Sequence, residues 1–302
     1  MQVPATMREQ IRFKTGETFR LLRWTRSVTR VEVVLDPTHS VPLRGEGDHW
    51  HYHRAIELTL VQHGDGTRFV ADSIELFDSG DLVMIGTNVP HYLHQNGSSA
   101  GISIQWEFPL EHGIWSFREA APLRGLLEAA RRGLQVSGPT ARSVRQRMEE
   151  LPEIGGLTRI AVFLSILDQL CEAPSEDIRP LASAPFSLSG TGAHQEAMRV
   201  AVSHILAHYR DSVYLSDLLR LTAMSRATFA RQFRLNTGKS FAVFLNHVRL
   251  QAVCRALRET SDNVSSIALN CGFNQLSFFN RLFRRETGMN PVAYRASRQD
   301  SP

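Results

Sequence analysis

The C-terminal third of the chain repeats itself. Phe229, Phe233, Thr237, Gly238 and Phe244 recur 50 positions later as Phe279, Phe283, Thr287, Gly288 and Tyr294. Arg231 and Arg234 recur in the same register as Arg281 and Arg284. Further upstream the interval becomes 49, so that Leu218-Leu219 matches Ile267-Ala268 and Ala223-Met224 matches Gly272-Phe273. Such an interval calls for two copies of one supersecondary unit. Each copy reads as helix, short turn, helix, over 215–238 and 264–288. In the first, Ser216–Thr222 precedes the turn, Ser225 is a suitable N-cap, and Gly238 ends the second helix. In the second, Val264–Cys271 is followed by a turn at Gly272 and by Gln275–Thr287, ended by Gly288. That is a helix-turn-helix arrangement, whose second helix enters the DNA major groove.

The faces of these second helices agree with that reading. The paired Phe residues mark the buried side. Opposite them stand Ala227, Ala230, Arg231 and Arg234 in one unit, with Thr228 beside them, and Ser277, Asn280, Arg281 and Arg284 in the other. Arg reads guanine, Asn reads adenine, and small residues allow close approach. A solvated Arg face is the alternative for any single position. Charge distribution weighs against it: from His194 onward there are 15 Lys+Arg against 7 Asp+Glu, a net of +8. The preceding residues hold 19 and 23, a net of −4. A basic domain joined to an acidic body implies a polyanion partner for that domain alone. Between the units, Ser240–Glu259 is a helix of roughly 30 Å, close to the ~34 Å of one DNA turn.

The run Val264-Ser265-Ser266-Ile267-Ala268-Leu269-Asn270-Cys271-Gly272-Phe273, continuing through Phe278-Phe279-Asn280-Arg281-Leu282-Phe283-Arg284-Arg285 to Gly288-Met289-Asn290-Pro291-Val292-Ala293-Tyr294-Arg295, resembles the signature of the AraC/XylS family of DNA-binding domains. The resemblance covers residues 196–297. It implies a seven-helix domain with two helix-turn-helix units and a role in transcription. Asn290 replaces the common Thr before Pro291, and serves equally well as an N-cap with Pro at the first helical position.

Residues 1–117 read as short strands separated by turns, with Ile56–Val61, Asp81–Ile85 and Gly101–Trp106 as examples. Strands this close without helices between them suggest an antiparallel sandwich or barrel. Residues 118–172 turn helical: Leu123, Leu126, Leu127, Ala130 and Leu134 keep helical spacing. Leu157–Cys171 is apolar on more than one face, and is covered either by the strand domain and its neighbouring helix or by a second protomer. Pro, Gly and Ser mark 173–193 as a linker, leaving 194–302 as the DNA-binding domain. Cys171, Cys254 and Cys271 offer neither a disulfide framework nor zinc spacing, and no apolar run is long enough for a bilayer. A cytoplasmic protein without membrane contact is expected.

The strand region carries Gly45-x5-His51-x-His53-x3-Glu57-x6-Gly64, and later Gly80-x5-Gly86-x-Asn88-x2-His91. Residues 51, 53 and 57 share parity, so one strand would place them on one side, with His91 supplied by another. This spacing resembles the two motifs of cupin barrels. The first fits fully; the second has Gly86 and Asn88 where Pro and Gly are usual, and its trailing Asn is displaced to Asn96. Imidazoles with a carboxylate suit Zn, Fe, Mn or Ni. A hydrogen-bonded interior or small-ligand pocket fits the same four residues, and no cofactor is the expectation, with a divalent metal as the alternative. His49, Trp50, Tyr52 and Trp106 either contact a ligand or simply pack.

The sequence thus describes a multidomain α and β protein, with a cupin-like antiparallel β-barrel and accessory helices followed by an all-α domain with two helix-turn-helix units. The expected function is a sequence-specific, effector-responsive activator of metabolic genes rather than an enzyme. Its expected partners are double-stranded DNA, a small effector such as a sugar, a second copy of the chain, and RNA polymerase. The alternative is a metal-dependent cupin enzyme fused to a DNA-binding domain.

Overall fold

The computed structural model describes residues 9, 11–13, 17–43, 49–186 and 194–299. They form two compact units, one of residues up to Gln195 apart from Ile74–Leu76, the other of residues from Glu196 onward together with Ile74–Leu76. Eleven strands occur among the described residues ahead of Gln195. They are β1 (Arg20–Trp24), β2 (Val31–Asp36), β3 (His39–Leu43), β4 (Ile56–His63), β5 (Gly66–Val70), β6 (Ser73–Phe77), β7 (Leu82–Ile85), β8 (His91–Gln95), β9 (Ala100–Trp106), β10 (Leu134–Val136) and β11 (Ile178–Pro180). Eight pair in the order β11-β10-β7-β4-β9-β1-β2-β3, and three in the order β6-β5-β8. The antiparallel class expected is observed, as two sheets; an isolated bridge pairs His51 with His91 in β8.

Period-two alternation decides what each face of the large sheet carries. Ile56, Leu58 and Leu60 of β4, Leu82 and Met84 of β7, and Ile102, Ile104 and Trp106 of β9 point to one side. There they meet α1 (Ala121–Ala130), α2 (Gly138–Glu150) and α3 (Gly156–Cys171) through Leu123, Leu126, Val144, Met148, Phe163, Ile166 and Leu170. The opposite face carries Glu57, Thr59, Ser103 and Gln105. With Leu22 and Trp24 of β1 and Leu93 of β8, Glu57, Ser103 and Gln105 line an interior cleft.

Two expectations need correction. Leu134, which continued the helical spacing of α1, lies in β10. Gly133 breaks the helix at φ +61°, and a Cβ there would meet Val70 Cγ1 at 2.5 Å. The segment 173–193 is not a linker throughout: Ile178–Pro180 is β11, the sheet-edge partner of β10, and Phe186 N–H still bonds Arg131 O at 2.8 Å. Its remainder, 187–193, lies outside the described residues. On α3 the inner residues Phe163, Ile166, Leu167 and Leu170 are buried against this unit, whereas Leu157 is 84% exposed and Leu164 41%.

The second unit has seven helices among its described residues: α4 (Gln195–His208), α5 (Leu215–Thr222), α6 (Arg226–Thr237), α7 (Phe241–Glu259), α8 (Val264–Asn270), α9 (Leu276–Thr287) and α10 (Pro291–Gln299). The repeated Thr-Gly pairs have one physical cause. Thr237 Oγ1 donates to Phe233 O at 2.8 Å and accepts from Lys239 N–H; Thr287 donates to Phe283 O at 2.8 Å and accepts from Met289 N–H. Gly238 and Gly288 then take φ +69° and +75°, ending both helices in the left-handed conformation. Asn290 caps α10 by accepting from Ala293 N–H at 2.8 Å.

The two inter-helix turns use different residues for the same conformation. Ala223 sits at φ +52°, where Gly272 of the second unit sits at +88°. A left-handed alanine costs about 1–2 kcal/mol, partly offset by the chain entropy that glycine would lose. Ala223→Gly is therefore expected to stabilise the C-terminal unit by about 0.5–1 kcal/mol in urea unfolding. Gly272→Ala should destabilise it by about 1–3 kcal/mol, because its Cβ would meet Tyr209 O at 2.5 Å and Arg249 Nε at 2.7 Å.

Candidate functional site

The interface candidate is built by the outer faces of α6 and α9. Ser225 starts α6 as expected: its hydroxyl accepts from Thr228 N–H at 3.2 Å and bonds the Thr228 hydroxyl at 3.0 Å. Thr228 is half-buried and serves this cap, while Ala227, Ala230, Arg231 and Arg234 are exposed. On α9, Ser277, Asn280, Arg281 and Arg284 are all exposed. Phe229, Phe233, Phe279 and Phe283 are buried on the inner side, which fixes the rotation of both helices.

These four arginines lack partners that most other arginines of the unit have. Arg199, Arg220, Arg255 and Arg285 pair with Glu196, Asp217, Glu259 and Glu286. Arg249 donates to Tyr209 O and Asp211 O, and Arg295 to Asp262 O. The guanidinium groups of Arg231, Arg234, Arg281 and Arg284 make no hydrogen bond or ion pair among the described residues. Their donors face solvent with nothing inside the protein to compete for them. Sequence reasoning located these residues, but could not know which arginines of the unit are tied to carboxylates.

The second constellation lies inside the N-terminal unit. His51, His53 and His91 are buried, and one ring nitrogen of each lies within 4.8 Å of the others. Parity on a common strand is not the reason. Only Glu57 lies in β4; His51 and His53 precede it, and His91 opens β8. The segments are held by His51 N–H to His91 O at 3.1 Å, the reciprocal bond at 2.8 Å, and Asn88 N–H to His53 O at 2.8 Å. Asn88 achieves this at φ +58°. Gly86 is needed because a Cβ would lie 2.6 Å from the Ala130 backbone where α1 ends. The two departures from the cupin pattern thus suit this chain's own packing. Gly45 lies outside the described residues, and Asn96 bonds Asp65 rather than joining the cluster.

Each imidazole is oriented alike. His51 Nδ1 faces His49 O at 2.7 Å, His53 Nδ1 faces Ala55 O at 2.8 Å, and His91 Nδ1 faces Val89 O at 2.8 Å. A nitrogen against a carbonyl oxygen must donate, so Nε2 carries the lone pair on neutral His51 and His91, whereas His53 Nε2 donates to Glu57. Glu57 Oε2 lies 3.2 Å from His53 Nε2 and accepts from Gln105 Nε2 at 2.8 Å; Thr59 donates to Oε1 at 2.5 Å. Thr59 also bonds Ser103 at 2.6 Å. Burial, helped by the neighbouring imidazoles, pushes His51 and His91 down to about 3. Burial also opposes charge on His53, but the Glu57 hydrogen bond and charge outweigh it and raise His53. Glu57 falls below its usual range: desolvation is overcome by the His53 bond and the surrounding imidazoles.

Glu9, Thr59, Ser103 and Gln105 belong to this site and were not identified from sequence. Glu9 lies 3.6 Å from His51 Nε2 and 3.8 Å from His49 Nε2. Thr59 and Gln105 carry a readable signal, since β4 and β9 alternate polar and apolar residues. Glu9 carries none. Trp50, Tyr52 and Trp106 are packed, with Trp106 in the core beneath the helices. Glu57→Ala removes the acceptor of His53, Gln105 and Thr59 at once. It should lower stability by about 3–5 kcal/mol, and Glu57→Gln by less, in thermal unfolding of the full chain.

A helix-turn-helix domain family matches residues 218–297. The HTH-type transcriptional activator RhaS of Escherichia fergusonii is 25% identical over 263 residues, covering 83% of this chain and 88% of RhaS. The regulatory protein PocR of Salmonella typhimurium is 31% identical over 106 residues, 35% of each chain. Among solved structures, a probable AraC family transcriptional regulator from Rhodopseudomonas palustris is 29% identical over 34% of this chain and 96% of its own, with a TM-score of 0.32. Two helix-turn-helix units and relatives of this kind define a DNA-binding transcriptional regulator. The C-terminal unit carries a helix-turn-helix domain, and the chain is similar over most of its length to HTH-type transcriptional activators.

Proposed function

We propose that this regulator places α6 and α9 in successive major grooves on one side of its operator. Arg231 and Arg281 are its principal base readers, and Asn280, Arg234 and Arg284 contact bases or phosphates beside them. The observation that carries this reading is the matched, unpaired state of the arginines on the two outer faces. At about 1.5 Å per residue, α7 keeps the units roughly one DNA turn apart. The N-terminal unit is the sensor, and its interior cleft takes a small polar effector such as a sugar. Effector binding shifts the chain toward one of two states by differential affinity. The named activity of RhaS supports activation, hence contact with RNA polymerase. The exposed outer side of α3, with Leu157 and Leu164, supports pairing with a second copy. The protein acts by binding rather than catalysis, in the cytoplasm, which suits its three free thiols; no described helix is long and apolar enough to cross a membrane.

The test is DNA binding by residues 194–302, which hold their own buried cores around Phe233 and Phe283. This fragment should shift promoter DNA from beside its own gene, with affinity falling steeply as salt rises through counterion release. Arg231→Ala and Arg281→Ala should each cost about 1–3 kcal/mol at the specific site and relax preference at one base position. The two positions should lie about one helical turn apart. Equal weakening on all sequences would assign both residues to phosphates instead.

A further inference from the structure

We propose that the N-terminal unit binds an apolar organic cation in a groove on its helical side, between the turn Arg118–Ala120 and the last turns of α3. The groove encloses about 340 Å3, within the ~300–1,000 Å3 of small-molecule sites. It shares no residue with the interior cleft, so it is separate from the place proposed for the polar effector. Its deep wall is Leu123 and Leu167, both buried in the core between the helices and the large sheet. Its rim holds Phe117 and Leu164, which remain 62% and 41% exposed. An apolar ligand seated in the groove would take that rim out of water.

Charge decides which apolar ligand fits. Glu119, Asp168 and Glu172 line the groove, and no Lys, Arg or His does. None of the three carboxylates makes an ion pair or side-chain hydrogen bond among the described residues. Asp168 and Glu172 stand four apart at the end of α3, where like charges repel and the helix dipole already presents its negative end. The last turn of that helix holds no basic residue. Arg124, on neighbouring α1, lies over the Trp115 ring at 4.4 Å instead. Burial, with the charges of Asp168 and Glu172, pushes the Cys171 thiol in the groove wall up to about 11. The negative field therefore reaches the cavity itself. Three uncompensated carboxylates beside an apolar wall match a ligand that joins one positive charge to an aromatic or aliphatic body. A neutral ligand would leave that field unanswered, and an anion would be repelled.

The full chain is titrated by calorimetry with tetraphenylphosphonium and, separately, with tetraphenylborate, which has the same shape and the opposite charge. One cation per chain should bind, with a Kd on the order of 10 µM. The borate should bind at least about tenfold more weakly. The double variant Asp168→Asn/Glu172→Gln conserves the size of two exposed side chains. It should weaken the cation by about tenfold and narrow the difference between the two ions. Phe117→Ser removes the exposed ring from the rim and should weaken the cation by about fivefold or more. Circular dichroism shows whether each variant folds; if one does not, the other decides. No binding of the cation by wild type, equal binding of the two ions, or unchanged cation binding in either folded variant overturns the site. Self-association of the chain that Phe117→Ser abolishes, with no cation bound, assigns the groove to a second copy and overturns it as well.

Discussion

Strands β4 and β9 are adjacent in the large sheet and buried on both faces, and the N-terminal unit depends on how that double burial is resolved. Their register places Glu57 opposite Gln105 and Thr59 opposite Ser103. Each polar residue on the inner face therefore finds its partner directly across the ladder. The alternate residues, Leu58 against Ile104 and Leu60 against Ile102, supply the apolar floor on which the three helices pack. A one-residue slip of either strand would drive its two polar side chains into that floor and break the pairing of Glu57 with Gln105. The same pairing that secures the sheet orients the carboxylate beside the histidines.

A similar economy governs the C-terminal unit. Two helices are turned so that aromatic residues four apart are buried, and this alone exposes the arginines on their opposite faces. The Thr-Gly ending fixes where each helix stops, and the left-handed residue at Ala223 or Gly272 fixes the angle at which its partner enters. Most other arginines of the unit are drawn to carboxylates or backbone carbonyls. Arg231, Arg234, Arg281 and Arg284 have no such partner among the described residues, so their charge is left for a partner outside the chain. Their unpaired state thus follows from where acidic residues are absent as well as from where basic ones stand.

The two repeats, their caps and the outward stripe were legible because all depend on local periodicity. Burial of Phe229 and Phe233 follows from spacing along one helix, and Ser225 and Asn290 cap through bonds to residues three positions away. The alternation of β4 was legible for the same reason. The histidines show where local reasoning stops. Parity on one strand suggested their convergence, yet His51 and His53 lie ahead of the strand, brought together by long-range bonds to His91 and Asn88.

Sequence by itself determined the helix-turn-helix units, the residues on their outer faces, and the antiparallel character of the first unit. Spacing, capping and charge are properties of neighbours along the chain. Only the tertiary structure decided that Leu134 leaves the helix for a strand, and that part of the Pro-rich segment closes a sheet edge. It also decided that Glu9 joins the histidines, and that His51, His53 and His91 meet in the interior. These outcomes depend on contacts between residues distant in sequence, set by how whole sheets and helices pack.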